Sequence, residues 1–346
     1  MGRLDGRGAL VTGGGGGIGR GISLLLAREG AGVVVADLGT TVSGEGADIS
    51  PAQKVVNEVR AAGGRAVANN GNVADFAQAQ AMVDQAVKEF GRIDILVNTA
   101  GILRDRMIFN MSEAEWDAVI AVHLKGTFNT SRWASARMRE QRYGRIVNFS
   151  SVSSWGNPGQ PNYSAAKHGI LGLTLTCANS LHRYNATANA IVPGTVATRM
   201  VDATPRGRAQ AQETGKTISE ASVGTELDPV NVAPIVVYLC TEEAGYINGQ
   251  FIGIQGYTLS LYSQTEAVRF LRSDGPWKTE VLFALMPRTV AEGLTPPPPL
   301  GPFKAGQERP KRRAERLQAE AAAWTEVAPG VQYWVASDYY GAKQGA

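Results

Sequence analysis

Tyr163 and Lys167 are four residues apart in a segment with a helical pattern. Residues at this spacing lie on one face of a helix with Cβ atoms about 5–6 Å apart, so the ammonium can lie beside the phenol. A neighbouring cation lowers the pKa of a phenol from its ordinary value of about 10. The pair is therefore a candidate acid/base centre, although the same spacing is also typical of a solvated helix face.

A glycine-rich segment at residues 13–19 follows the first predicted strand and leads into the first long helical pattern. Glycines let a backbone approach a diphosphate closely, and the N-terminus of a helix offers free N–H groups to the anion. A flexible linker has the same composition. The position between a strand and a helix favours a dinucleotide-binding loop.

Asp37 ends the second predicted strand, at the separation expected of an acid that accepts hydrogen bonds from the adenosine ribose. No arginine or lysine follows it before Lys54. Since a carboxylate there repels a 2′-phosphate, the sequence favours NAD over NADP. Asn72 follows the third strand, where its amide could read the adenine edge or belong to an ordinary turn.

Short apolar runs alternate with helical patterns up to about residue 260. The predicted strands are residues 8–12, 32–36, 65–68, 93–98, 145–150, 187–192 and 251–254. The predicted helices are residues 19–29, 52–62, 76–90, 112–140, 163–184 and 231–241, and Ser112 with Glu115 forms a capping-box pattern in the fourth. The alternation predicts an α/β fold, a doubly wound parallel sheet (Rossmann fold) flanked by helices on both faces.

Two segments depart from this alternation. Residues 199–228 are polar and interrupted by proline and glycine, which is typical of a lid or of a disordered loop. Residues 261–346 form a C-terminal extension with a proline-rich connector and a basic stretch at 304–316, which could meet CoA phosphates or be a solvated face. Because the extension is rich in aromatic residues, we expect it to pack on residues 1–260 or on a neighbouring subunit.

Composition argues against several kinds of partner. A formal charge of +3 over 346 residues does not favour nucleic acid. No apolar run reaches the roughly 18–20 residues that a membrane span needs, so we expect a cytoplasmic protein that does not enter a membrane. Cys177 and Cys240 are expected to be reduced and inert, and the three histidines are too scattered for a metal site.

Five motifs follow one another along the chain: Thr12-Gly13-x-x-x-Gly17-x-Gly19, Asn98-Thr-Ala-Gly101, Ser151, Tyr163-x-x-x-Lys167 and Pro193-Gly194. Their order and spacing resemble the short-chain dehydrogenase/reductase family over residues 5–260. Within that family, residues 101–106, 123–126 and 143–146 and the long insertion at 37–50 are most similar to the hydroxyacyl-CoA dehydrogenase portion of multifunctional enzymes and to related bacterial 3-oxoacyl reductases.

The resemblance implies a catalytic group. Tyr163 would be the general acid/base, Lys167 would lower the pKa of Tyr163 and bind the nicotinamide ribose, and Ser151 would hold the substrate oxygen. Alignment through the preceding strand selects Ser151, whereas counting back from Tyr163 selects Ser150.

His123 stands where the family usually has an asparagine, whose carbonyl kinks a helix and holds a water that links the lysine to solvent. A histidine could keep this relay as a fourth catalytic residue and titrate near neutral pH. The alternative is a partly buried histidine whose ring is satisfied by the backbone.

The resemblance also implies which residues bind the cofactor. They are Gly13, Gly17, Ile18, Gly19, Asp37, Leu38, Asn72, Val73, Asn98, Ala100, Gly101, Tyr163, Lys167, Pro193, Val196 and Thr198.

These implications predict an NAD-dependent oxidoreductase that interconverts a secondary alcohol and a ketone. The expected substrate is a 3-hydroxyacyl thioester, with a hydroxysteroid or another hydrophobic alcohol as the alternative. A non-catalytic nucleotide-binding scaffold is the alternative from another class. Because members of the family commonly pair through long helices, a homodimer or homotetramer is also implied.

Overall fold

The computed structural model describes residues 2–265, 267, 269–273, 275–291, 294, 325–328 and 331–333. The chain divides into two compact units, Met1–Thr265 and Glu266–Ala346. The proline-rich connector and the basic stretch at 304–316 lie outside the described residues.

An eight-stranded sheet forms the centre of the first unit. Its strands are β1 (Gly8–Thr12), β2 (Gly32–Ala36), β3 (Arg65–Asn69), β4 (Ile95–Asn98), β5 (Gly144–Phe149), β6 (Ala186–Pro193), β7 (Phe251–Gln255) and β8 (Thr258–Leu261). The order across the sheet is β3-β2-β1-β4-β5-β6-β7-β8, and only β8 pairs antiparallel to its neighbour. The strand order reverses between β1 and β4, which makes a doubly wound Rossmann sheet, as predicted.

Helices connect the strands. They are α1 (Gly17–Arg28), α2 (Ser50–Ala61), α3 (Phe76–Phe90), α4 (Glu113–Ile120), α5 (Gly126–Gln141), α6 (Pro161–Leu181), α7 (Arg199–Asp202), α8 (Pro205–Thr214), α9 (Ile218–Ala221) and α10 (Ala233–Leu239). In the second unit the structure describes α11 (Thr279–Leu285) and an antiparallel pair, β9 (Thr325–Ala328) with β10 (Val331–Tyr333). No helix among the described residues is long and apolar enough to cross a bilayer.

Both faces of the sheet are buried, because alternate side chains of each strand point to opposite sides. Val11 and Val33 pack with α1, α2 and α10 on one face. Leu10 and Val34 pack with α3, α5 and α6 on the other. This two-sided burial explains why the strands read as continuous apolar runs.

Three features of the fold differ from the prediction. The helix predicted over 112–140 is divided by a π-helical turn, Ala121–Lys125, between α4 and α5. The segment at 199–228, called the lid segment below, holds the three short helices α7, α8 and α9. The exposed antiparallel strand β8 was not predicted.

Candidate active site

A cavity of about 700 Å³ opens at the carboxyl ends of the parallel strands, where the strand order reverses. Ligands bind at this position in open α/β sheets. All the predicted catalytic and cofactor-binding residues line the cavity except Asn98. The sequence motifs therefore meet around one cavity, although Gly13 and Thr198 are 185 positions apart in the chain.

Asn98 has a supporting position instead. Its Nδ2 donates to Asn148 Oδ1 at 2.9 Å, and its Oδ1 accepts a hydrogen bond from Thr130 Oγ1 at 2.7 Å. The side chain is buried and joins β4 to β5 and α5. Asn98 thus fixes the strand that carries Ala100 and Gly101 to the cavity.

The glycine loop packs tightly against its own neighbours in the fold, so that side chains are excluded at two of its positions. Gly13 has φ +67°, and a Cβ on it would lie 2.9 Å from the Ala100 backbone. A Cβ on Gly19 would lie 2.1 Å from the carbonyl oxygen of Gly13. Because α1 begins at Gly17, the unpaired N–H groups of its first turn face this loop. The residues therefore fit the diphosphate of a dinucleotide.

Asp37 lies between the glycine loop and the loop that follows β2. Its Oδ2 accepts a hydrogen bond from the Gly15 N–H at 2.9 Å, and its Oδ1 accepts one from the Gly39 N–H at 2.8 Å. The carboxylate is thereby fixed at the wall of the cavity. Asn72 also lines the cavity, while its Oδ1 closes a turn by accepting from the Ala74 N–H, so both interpretations of this residue have support.

Tyr163 lies in the first turn of α6, within the cavity wall. Burial raises the pKa of Tyr163 to about 12, against the lowering effect of a hydrogen bond from Ser151, and the charge of Asp105 raises it further. The phenol is therefore protonated near neutral pH. The prediction that the pKa of Tyr163 lies below its ordinary value is wrong, because desolvation dominates.

Lys167 lies one helical turn after Tyr163, and its Nζ is 5.5 Å from the centre of the tyrosine ring. Its ammonium donates a hydrogen bond to the Phe149 carbonyl oxygen at 2.7 Å. Burial lowers the pKa of Lys167 to about 7. The two side chains therefore share one face of α6, as predicted, and the lysine can exchange a proton in the neutral range.

Ser150 and Ser151 face different partners. Ser150 is buried, and its hydroxyl donates to the Lys167 carbonyl oxygen at 2.9 Å. The Ser151 hydroxyl hydrogen-bonds the Tyr163 phenol and also accepts from the Ser153 N–H at 3.1 Å. This geometry favours Ser151 as the serine that acts together with Tyr163.

His123 lies in the π-helical turn and is buried. Its ring meets the Tyr163 ring edge-on at 5.1 Å, and its Nε2 lies 2.8 Å from the Ile102 carbonyl oxygen and 3.0 Å from the Ile102 nitrogen. Burial, assisted by the charge of Lys167, lowers the pKa of His123 to about 3. The expectation that His123 titrates near neutral pH is wrong. The Ile102 backbone bonds only Nε2, and among the described residues the buried Nδ1 has no hydrogen-bond partner.

Asn162 is a site residue that the sequence reasoning missed. Its side chain is fully buried, and its Nδ2 donates to the carbonyl oxygens of Arg104 and Glu115, both at 3.0 Å. Its Oδ1 accepts from the Tyr163 N–H at 2.7 Å. The available signal was its position between Pro161, which begins α6, and the tyrosine itself.

Asp105 is a second missed residue. Gln160, which lines the cavity, donates from Nε2 to Asp105 Oδ2 at 2.7 Å. Desolvation raises the pKa of Asp105, and its charge raises that of Tyr163. A carboxylate near the tyrosine thus favours the protonated phenol.

The sequence pattern of the family described as short chain dehydrogenase matches residues 7–209, more than half of the chain. This chain belongs to the short-chain dehydrogenase family. It is therefore an oxidoreductase.

Two relatives and one solved structure place this dehydrogenase more closely. It is 47% identical over 251 residues to the peroxisomal multifunctional enzyme type 2 of Drosophila melanogaster, covering 72% of this chain and 39% of that enzyme. It is 41% identical over 255 residues to the 3-oxoacyl-(acyl-carrier-protein) reductase of Thermotoga maritima, covering 73% of this chain and 98% of that protein. The crystal structure of a short chain dehydrogenase from Mycobacterium avium matches with a TM-score of 0.73 and 41% identity, covering 86% of this chain and 99% of the other.

Proposed function

We propose that this dehydrogenase uses NAD to interconvert a secondary alcohol and a ketone, with a 3-hydroxyacyl or 3-oxoacyl thioester as its substrate. The observation that carries the proposal is the convergence of Ser151, Tyr163 and Lys167 on a cavity whose walls also hold the glycine loop and Asp37. One space thus combines a proton-transfer group with a surface that fits a dinucleotide.

The nicotinamide ring, when bound, supplies or accepts the hydride. In the reducing direction Tyr163 Oη donates its proton to the substrate oxygen, because its raised pKa of about 12 keeps it protonated near neutral pH. The Ser151 hydroxyl holds the same oxygen at the distance that proton transfer requires. Lys167, with a pKa of about 7, is placed to return a proton towards the tyrosine.

The preference for NAD rests on Asp37. Two backbone N–H groups hold its carboxylate at the cavity wall, so it cannot easily turn away from a ligand. A 2′-phosphate at this place would meet a fixed negative charge, whereas ribose hydroxyls could donate to it.

The thioester assignment is supported by the name of the Thermotoga maritima relative, a reductase of 3-oxoacyl groups on a carrier protein. The cavity wall at the lid segment is also rich in apolar side chains, including Met200, Val201 and Val223, which suit an acyl chain.

We also propose a homodimer or homotetramer. Two exposed aromatic side chains support it, Trp116 on α4 and Phe128 on α5.

The test is a pair of assays on the purified protein. NAD and NADP binding is measured by calorimetry, and NADH formation is followed with a panel of 3-hydroxyacyl-CoA thioesters and hydroxysteroids. Turnover with NAD and thioesters is expected, and Tyr163→Phe should lower kcat by about 10²–10⁴-fold because the transferred proton is lost. Tyr257→Phe is the matched control, since Tyr257 is exposed and lies outside the cavity wall.

Binding of NAD without turnover of any compound would instead identify a nucleotide-binding scaffold. Turnover of steroids alone would replace the substrate class, and a preference for NADP would overturn the assignment based on Asp37.

A further inference from the structure

Arg199 is the first residue of the lid segment, and it reaches across the cavity. It follows Thr198, whose Cγ2 lies 3.3 Å from the place that a Cβ on Gly17 would take. The lid segment therefore starts beside the glycine loop. From there Arg199 Nη1 donates a hydrogen bond to the Thr40 carbonyl oxygen at 2.7 Å, in the loop that follows Asp37.

Among the described residues, three cationic side chains line the cavity: Arg20, Lys167 and Arg199. They differ in how many hydrogen-bond and ion-pair partners they have within the protein. Arg20 forms an ion pair with Glu58, and Lys167 is buried against Phe149 beside Tyr163. Within the described part of the chain, the guanidinium of Arg199 has one hydrogen bond, to a neutral carbonyl. Four of its five N–H donors remain for a ligand.

In a dinucleotide the adenosine ribose lies at Asp37, and the neighbouring group, which lies at the glycine loop, is the diphosphate. The first turn of α1 offers backbone N–H groups to it, and the described residues of that turn include no acidic side chain. A planar guanidinium pairs with phosphate oxygens in a bidentate manner, which is stronger than its bond to a carbonyl. Arg199 is exposed, so its side chain can turn from Thr40 to such an anion.

We propose that Arg199 binds the diphosphate of the dinucleotide and exchanges its hydrogen bond to Thr40 for a charge-assisted pair with phosphate oxygens. The lid segment then supplies a cofactor-binding residue. This proposal rests on the proposed function, because it takes a dinucleotide as the ligand.

The test compares Arg199→Gln, Arg199→Lys and the control Arg208→Gln. Arg208 lies on α8 of the same lid segment, is exposed and does not line the cavity, so its replacement makes the same change in net charge. Affinities for NAD, ADP, adenosine and adenosine 2′-monophosphate are measured by calorimetry or ligand-observed NMR, with thermal unfolding of each free variant as a check on folding.

Arg199→Gln is expected to weaken ADP and NAD binding by about 10- to 100-fold, while adenosine binding stays unchanged. Arg199→Lys should fall between, because it keeps the charge and loses the bidentate geometry. Arg208→Gln should match the wild-type protein. The affinity of the wild-type protein for ADP should also fall more steeply with KCl than that of Arg199→Gln.

Three results would overturn the proposal. Wild-type affinity of Arg199→Gln for ADP would show that the guanidinium does not meet the diphosphate. An equal loss for adenosine would show that Arg199 only supports the Thr40 loop, and a loss confined to adenosine 2′-monophosphate would place the cation at the ribose. If the wild-type protein binds neither NAD nor ADP, the proposed function fails as well.

Discussion

Ser150 and Ser151 are adjacent in sequence, but their hydroxyl groups have different tasks. The Ser150 hydroxyl donates to the carbonyl oxygen of Lys167 in α6, and the Ser151 hydroxyl bonds to the phenol of Tyr163. Alternation along an extended backbone points neighbouring side chains to opposite sides, so one serine supports the site and the other enters it.

Replacing each serine by alanine should separate these tasks. Ser151→Ala is expected to lower kcat by about 10²–10³-fold, as removal of a donor to the reacting oxygen does, with little change in stability. Ser150→Ala should keep most of the activity and lose about 0.5–1.5 kcal/mol of unfolding free energy, because a buried hydrogen bond to the Lys167 carbonyl disappears. Steady-state kinetics and urea unfolding measure both. The reverse pattern of activity would assign the reaction to Ser150.

His123 makes a prediction about acid stability. Folding lowers its pKa from 6.5 to about 3, so between these values the unfolded chain binds a proton that the folded chain does not. Stability therefore falls as the pH decreases through this range, by up to about 1.4 kcal/mol per pH unit. His123→Asn should flatten this part of the curve, measured by urea unfolding at a series of pH values.

The same variant should leave the pH–rate profile unchanged around neutrality, since His123 is already neutral there. His182→Asn is the control for unfolding, because His182 is exposed at the end of α6. A shift of the neutral limb of the pH–rate profile in His123→Asn would restore the relay predicted from the sequence.

Asn162 connects the start of α6 to α4 and to the segment after β4. Three backbone groups bond to this one amide, and one of them is the N–H of Tyr163. The position of the phenol therefore depends on a residue that does not line the cavity.

Asn162→Ala should lower kcat more than it raises KM, because the tyrosine is displaced while the cavity remains. It should also cost about 1–3 kcal/mol, since two carbonyls and one N–H lose their partner. Asn189→Ala is a matched control: Asn189 is equally buried and bonds to two backbone groups, Ile247 O and Gln250 N, away from α6. A similar loss of kcat in the control would show that Asn162 acts through general stability alone.

The parallel strands could be predicted from sequence because burial on both faces leaves uninterrupted apolar runs; β1 and β2 match the predicted bounds. The strand β8 could not, because its residues are exposed and its pairing depends on β7. The three lid helices were not predicted, because the polar composition of the lid segment gives no apolar helical period. A capping box of Thr217 and Glu220 does mark the start of α9.

For the site, residue types and spacing were sufficient to identify the glycine loop, Asp37 and the residues around Tyr163 that the cavity now joins. Residue types and spacing were not sufficient to predict the pKa values of the site residues. The pKa values of Tyr163, Lys167 and His123 are dominated by burial, which a sequence does not state. Asn162 was missed for a related reason, since its partners Arg104 and Glu115 are distant in sequence.

Every described residue that lines the cavity lies between Gly13 and Val230, within the unit Met1–Thr265. A chain that ends at Thr265 should therefore bind NAD with an affinity within about twofold of the full chain, because it keeps all the described residues that line the cavity. Calorimetry measures this affinity. A loss of NAD binding would show that the extension completes the site.

The same shortened chain tests the expectation that residues 304–316 meet CoA phosphates. An unchanged KM for a 3-hydroxyacyl-CoA would leave that stretch without a role in binding, whereas a raised KM with unchanged NAD affinity would assign it to the substrate.

The strand order also sets when the site can form during synthesis. β1 is synthesised before its neighbour β4, with which it pairs through Thr12 and Asn98. Pro193, on β6, borders the cavity as well and is made still later. The growing chain must therefore keep its glycine loop without a finished cavity until most of the Rossmann unit has emerged, and nucleotide binding can begin only after that point.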